Sequence, residues 1–76
     1  MEELMEILSN LLPDVDFETE ERLVDDKILD SFDIVSLIAE INETFDIAIT
    51  AKDILPENFN SAKALYALIQ KLEEEA

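Results

Sequence analysis

Apolar residues along this 76-residue chain fall into three helical stripes separated by polar stretches. Leu4, Ile7, Leu8, Leu11 and Leu12 recur at helical spacing, with Met5 at the edge, which predicts an amphipathic first helix. Pro13 should end it, because proline disfavours helical dihedrals in the residue before it. Residues 13–30 show no long period. Val15, Phe17, Leu23, Val24, Ile28 and Leu29 are apolar enough to pin this connection to the helices, and a turn of helix is expected within 18–23. The strongest stripe follows: Ile34, Leu37, Ile38, Ile41 and Phe45 share one face at about 100° per residue, predicting a second helix over 31–45. Residues 46–50 read as a connector and 51–55 as a short third helix stopped by Pro56. Asn60-Ser61 should cap a fourth helix carrying Leu65, Leu68, Ile69 and Leu72, with a fraying acidic end at Glu73, Glu74 and Glu75. The expected fold is all-α, a small antiparallel four-helix bundle with three long helices, one short helix and a long first loop. It forms one domain over residues 1–76.

Composition narrows what such a bundle can do. Cysteine is absent, which excludes a disulfide framework and thiolate metal ligation, and histidine, the commonest general base, is absent too. Ser31 has only carboxylates beside it, and these rarely activate a hydroxyl, so the chain is expected not to be an enzyme. Glycine is also missing, so a left-handed turn must fall on Asn, Asp or a strained residue; Asn58 is one candidate. The formal net charge of −15 argues against nucleic acid and anionic membranes and for protein partners with basic docking patches. Met1-Glu2-Glu3 is acidic where a signal peptide would be basic, and no apolar run is long enough to span a bilayer. The expectation is a cytoplasmic monomer without membrane insertion.

Candidate chemistry concentrates at Ile28-Leu29-Asp30-Ser31-Phe32-Asp33, where the polar loop becomes the second helix. A helix start presents unpaired N–H groups and partial positive charge, a natural seat for a phosphate. Ser31 therefore has two readings, as an N-cap or as the point where a phosphate-linked arm is attached. Further along this helix Phe32, Val35 and Ala39 drift to the edge of the core stripe, with Asp33, Ser36, Glu40 and Glu43 beyond them. No Lys or Arg occurs between Lys27 and Lys52, so nothing on the helix pairs with its acids. Such a face suits a basic partner with an apolar centre, although Phe32 could instead tuck under the loop as a staple. Asp14, Asp16, Glu18, Glu20 and Asp25 are spaced somewhat like a calcium loop. Thr19 replaces the turn glycine and an Asp the last Glu, so weak adventitious cation binding is expected and no metal site.

Asp30-Ser31-Phe32 resembles the Asp-Ser-Leu motif of acyl carrier proteins. Phe45-Asp46-Ile47-Ala48-Ile49-Thr50 resembles that family's Phe-Asp-Ile-x-Ile segment closing the same helix. Length, charge, helix pattern and long first loop agree, so the resemblance covers essentially the whole chain. It implies that Ser31 carries 4′-phosphopantetheine through a phosphodiester, installed from coenzyme A by a phosphopantetheinyl transferase. It implies that the arm's thiol holds acyl or aminoacyl groups as thioesters, delivered to partner enzymes of fatty-acid or related biosynthesis. Asp30 would help hold the Mg²⁺ used during transfer, a metal that belongs to the transferase complex. Phe32, Asp33, Val35, Ser36, Ala39, Glu40 and Glu43 would form the docking surface for the transferase, a loading ligase and acyl-processing enzymes. Ile49, Ile54 and Leu55 would line a cleft beside the second helix that shelters a short acyl chain. The chain departs from the family pattern at Ile28, often Gly, at Phe32, usually Leu, and at Ser36, where an acid is common. Together with Pro56-Glu57-Asn58-Phe59-Asn60-Ser61, the last departure looks closer to D-alanyl carrier proteins and other stand-alone carriers loaded by an AMP-forming ligase. An acidic helical adaptor without a prosthetic group is the alternative from another class.

Overall fold

A computed structural model describes residues 2–75, and among these the only regular elements are helical. They are α1 (Glu2–Leu11), α2 (Ser31–Phe45), a 3-10 turn (Ala51–Asp53), α3 (Pro56–Phe59) and α4 (Ala62–Glu75). Glu2 and Glu3 suit the positive end of α1, and the helix stops just short of Pro13. Leu4 and Leu8 of α1, Leu37 and Ile41 of α2, and Leu65 and Ile69 of α4 are fully buried, so the three predicted stripes meet in one core. α1 packs on α2 and α4, and α3 on α4, which makes a small helical bundle. Burying each such side chain stabilises the fold by about 1.5–3 kcal/mol. Net stability for a chain of this length is about 4–11 kcal/mol. Truncation of one buried leucine therefore removes a large part of it, as a denaturant titration of Leu37→Ala would register.

The first loop enters the core through Phe17, Leu23 and Leu29, while Val15, Val24 and Ile28 are half-buried against it. Residues 18–23 do not form the expected turn of helix. The turn sits earlier, where the Asp16 carbonyl accepts from Glu20 N–H at 3.0 Å and Asp16 Oδ1 from Glu18 N–H at 3.1 Å. A short polar side chain bonding two residues ahead favours this local closure over a continuing helix.

The short third helix is also displaced. Residues 51–53 make only a 3-10 turn, and Asp53 Oδ2 closes it by accepting from Thr50 N–H and Oγ1, each at 3.3 Å. Pro56 starts α3 instead of stopping its predecessor, because its fixed φ and missing N–H suit the first helical position. Asn58 is consequently helical and not left-handed; its Nδ2 donates to the Asp53 carbonyl at 2.9 Å. The positive φ values fall on Lys27 (60°) and Asp46 (54°). Asp46 ends α2, its N–H bonded to the Asn42 carbonyl, while Asn42 Oδ1 accepts from Ile49 N–H at 2.9 Å. Ser61 alone caps α4, its Oγ accepting from Ala64 N–H at 3.0 Å, whereas the Asn60 side chain turns elsewhere. α4 runs through Glu75, so Glu73, Glu74 and Glu75 are helical. Among the described residues no helix is long and apolar enough to cross a membrane.

Candidate functional site

The junction between loop and α2 is built by two acids. Asp30, with φ −97° and ψ −178°, is the N-cap: its Oδ1 accepts from Asp33 N–H at 2.8 Å. Asp33 answers with Oδ2 toward Asp30 N–H at 3.5 Å, completing a capping box in Asp form. The Asp30 carbonyl then accepts the first helical bond, from Ile34 N–H at 3.0 Å. The reading of Ser31 as the cap is thus overturned. A cap must have extended dihedrals, and Asp30 supplies both those and the stronger acceptor.

Ser31 is left as the first helical residue, exposed, its hydroxyl without a hydrogen-bond partner among the described residues. The N–H groups of Ser31 and Phe32 likewise have none there. An uncommitted hydroxyl oxygen standing beside two open donors at the positive end of a 15-residue helix suits a phosphodiester. The second oxygen of Asp30, Oδ2, is not used by the cap.

On α2 the sequence-predicted surface residues divide into two groups. Phe32 (78% exposed), Val35 (67%), Ala39, Glu40 and Glu43 stand in solvent, so Phe32 is not a staple under the loop. Asp33 and Ser36 are half-buried, Asp33 within the capping box and Ser36 beside a hollow of about 190 Å³ between α1 and α2. Among the described residues the acids of this face have no cation partner, and the ion pair is Arg22–Asp26, at 3.1 Å. The hydrogen bond from Arg22 to Asp26, with attraction from Asp26 and Asp25, holds that guanidinium above its ordinary value, so its charge is already engaged.

The remaining predicted residues differ in exposure and surroundings. Ile49 is buried, while Ile54 and Leu55 are exposed. Leu55 lines a hollow of about 450 Å³ with Lys52, Ala64, Ala67, Leu68 and Lys71, which faces α4 and includes no residue of α2. The loop acids Asp14, Asp16, Glu18, Glu20 and Asp25 do not converge as a calcium loop: among the described residues no three acids are placed to hold a metal ion. Asp16 closes its turn and Asp25 bonds Asn60. The sequence reading missed the Asp30 cap, although Asp-x-x-Asp before an apolar run carries that signal. It also missed Asn60, whose distant partners leave no local signal.

The model of a family described as the phosphopantetheine attachment site matches residues 2–69. No curated protein matches the chain significantly.

Proposed function

The chain belongs to the phosphopantetheine attachment site family of acyl-carrier-type proteins, which bear covalently bound 4′-phosphopantetheine, and from that premise we propose that Ser31 is its attachment residue. The observation that carries this reading is the division of labour at the head of α2. Asp30 takes the cap, so the Ser31 hydroxyl is exposed and uncommitted beside the open N–H groups of Ser31 and Phe32. When bound, the arm supplies the thiol on which cargo is held, a group that this cysteine-free chain lacks. The chain's own part is to present Ser31, to seat negative charge on the helix start and to offer Asp30 Oδ2 to the transferase's Mg²⁺.

In this reading the protein is a shuttle and not an enzyme. It delivers acyl or aminoacyl groups to partner enzymes of fatty-acid or related biosynthesis, which dock on Phe32, Val35, Ala39, Glu40 and Glu43, with Asp33 and Ser36 at the margin. The uncharged Ser36 within that face favours, as a second reading, aminoacyl cargo such as D-alanine loaded by an AMP-forming ligase. Ile54 and Leu55, exposed at the end of the 3-10 turn, would cover a short acyl chain. Their methyl NMR signals should shift on loading, and unshifted signals would remove them from that role.

The deciding experiment is intact mass after incubation with coenzyme A, Mg²⁺ and a promiscuous phosphopantetheinyl transferase, beside Ser31→Ala. Gain of one phosphopantetheine by the unmodified chain alone is the expected result. Gain by both chains would move the attachment elsewhere. No gain by either, with an active transferase, would refute the proposal.

A further inference from the structure

We propose that Asn60 is a positioning residue that holds the Ser31 segment in place from across the chain, a role that rests on Ser31 being the attachment residue. Asn60 sits at the corner between α3 and α4, yet among the described residues its side chain makes no hydrogen bond to that corner, where Ser61 already caps α4. It reaches instead to the first loop. The Asn60 carbonyl accepts from Leu23 N–H at 2.9 Å. Its Oδ1 accepts from Val24 N–H at 3.0 Å and Asp25 N–H at 3.1 Å, and its Nδ2 donates to Asp25 Oδ2 at 3.2 Å. Three consecutive amides of the loop are thereby satisfied by a single residue some 35 positions away.

What is held there leads directly to Ser31. Leu29 N–H donates to the Leu23 carbonyl at 2.9 Å, closing a turn whose two ends are buried in the core. Asp30 and Ser31 follow at once. Inside the turn Lys27 has φ 60°, a left-handed conformation that a residue with a Cβ adopts at a cost. The segment has local bonds of its own, Asp26 N–H to the Arg22 carbonyl at 2.8 Å and Lys27 N–H to the Val24 carbonyl at 3.0 Å, and Asn60 ties it to the corner between α3 and α4. Without the Asn60 side chain the strained turn can relax, and the exit of the loop into the Asp30 cap moves with it.

A transferase that recognises the anchored arrangement then sees a reduced population of competent carrier, which raises apparent KM by the inverse of that population. Loss of the three side-chain bonds, each at the low end of its net worth, disfavours the anchored turn by about tenfold, so KM should rise by up to about tenfold. The chemical step, which occurs only in anchored molecules, should keep its kcat within about twofold.

The test measures initial rates of phosphopantetheine transfer against carrier concentration, with amide hydrogen exchange at Leu23, Val24, Asp25 and Leu29. Asn60→Ala should raise KM, hold kcat and speed exchange at these amides. Asn60→Asp keeps an acceptor for the Val24 and Asp25 amides but sets a carboxylate against that of Asp25, so it should raise KM through the loss of that one contact. Adding Asp25→Asn restores one donor and one acceptor across the same contact, with their ends exchanged. The double variant Asn60→Asp with Asp25→Asn should therefore return KM to within about twofold of the starting chain. A single variant that folds with unchanged KM and exchange, or a folded double variant that recovers neither, would overturn the positioning role. If Asn60→Ala does not fold, the comparison of Asn60→Asp with the double variant carries the same decision. Failure of the unmodified chain to load beside an active transferase would overturn the attachment reading instead.

Discussion

On the proposed reading Asp30 has two separable tasks, and substitutions that keep one while removing the other should split stability from loading. Its Oδ1 caps α2 through Asp33 N–H at 2.8 Å, and its charge lies at the positive end of the helix. Asp30→Ala removes both. Loss of a cap costs about 1 kcal/mol and loss of the favourable charge about 0.3–1 kcal/mol, giving ~1–2 kcal/mol in all. For a domain of this size each kcal/mol lowers Tm by about 4–8 °C. Asp30→Asn retains a side-chain acceptor in the same position, and it relieves the repulsion between two carboxylates that face one another in the capping box. Its stability should lie within ~0.5 kcal/mol of the starting chain. An amide oxygen is nevertheless a weaker Mg²⁺ ligand than a carboxylate, so transfer to Ser31 should slow by at least about tenfold in both variants. Thermal unfolding followed by circular dichroism, with loading followed by mass, gives both quantities on the same samples. If Asp30→Asn unfolds as readily as Asp30→Ala, the cap geometry is not what Asp30 contributes. If Asp30→Asn loads normally, the free Oδ2 has no part in attachment.

Two further outcomes follow from the ends and outer face of α2. Asp46 holds φ 54° at the negative end of the helix, so Asp46→Gly relieves both backbone and charge penalties and should raise stability by about 0.5–1 kcal/mol; an unchanged or lower Tm would refute this. Reversal of the exposed, unpaired Glu40 and Glu43 to Lys should slow loading by a basic partner without unfolding the chain, and rising ionic strength should weaken association of the unmodified protein; normal rates from the reversed chain would end their docking role.

How much of this was legible in advance depended on whether the deciding interaction was local. The stripe Ile34-Leu37-Ile38-Ile41-Phe45 declares α2 because a helix repeats its buried face within the sequence itself. Pro56 was ambiguous, since the same missing N–H that ends one helix suits the start of the next, and only the packing of Phe59 in the core favours the second outcome. Asp30 and Ser31 are both good caps, so residue type alone could not divide their roles. Asn60 was beyond reach altogether. Its partners at Val24 and Asp25 are neighbours only after the loop has folded back, and a polar residue beside Ser61 reads most simply as part of the α4 cap.

If Ser31 is the attachment residue as proposed, the arrangement at its helix start gives a reason for attachment and cap to belong to different residues. Were Ser31 the cap, its Oγ would be accepting an amide proton of the first turn, and derivatising that oxygen would disturb the helix start and the loop leading into it. With the cap on Asp30, the Ser31 oxygen can be converted to a phosphodiester while the bonds to Asp33 and Ile34 stay in place. The added negative charge then falls on open N–H groups at the positive end of α2, where it is favourable. Modification should consequently leave the fold intact and modestly stabilise its second helix. A holo form that melts below the apo form would mean that the phosphate does not sit on that helix start.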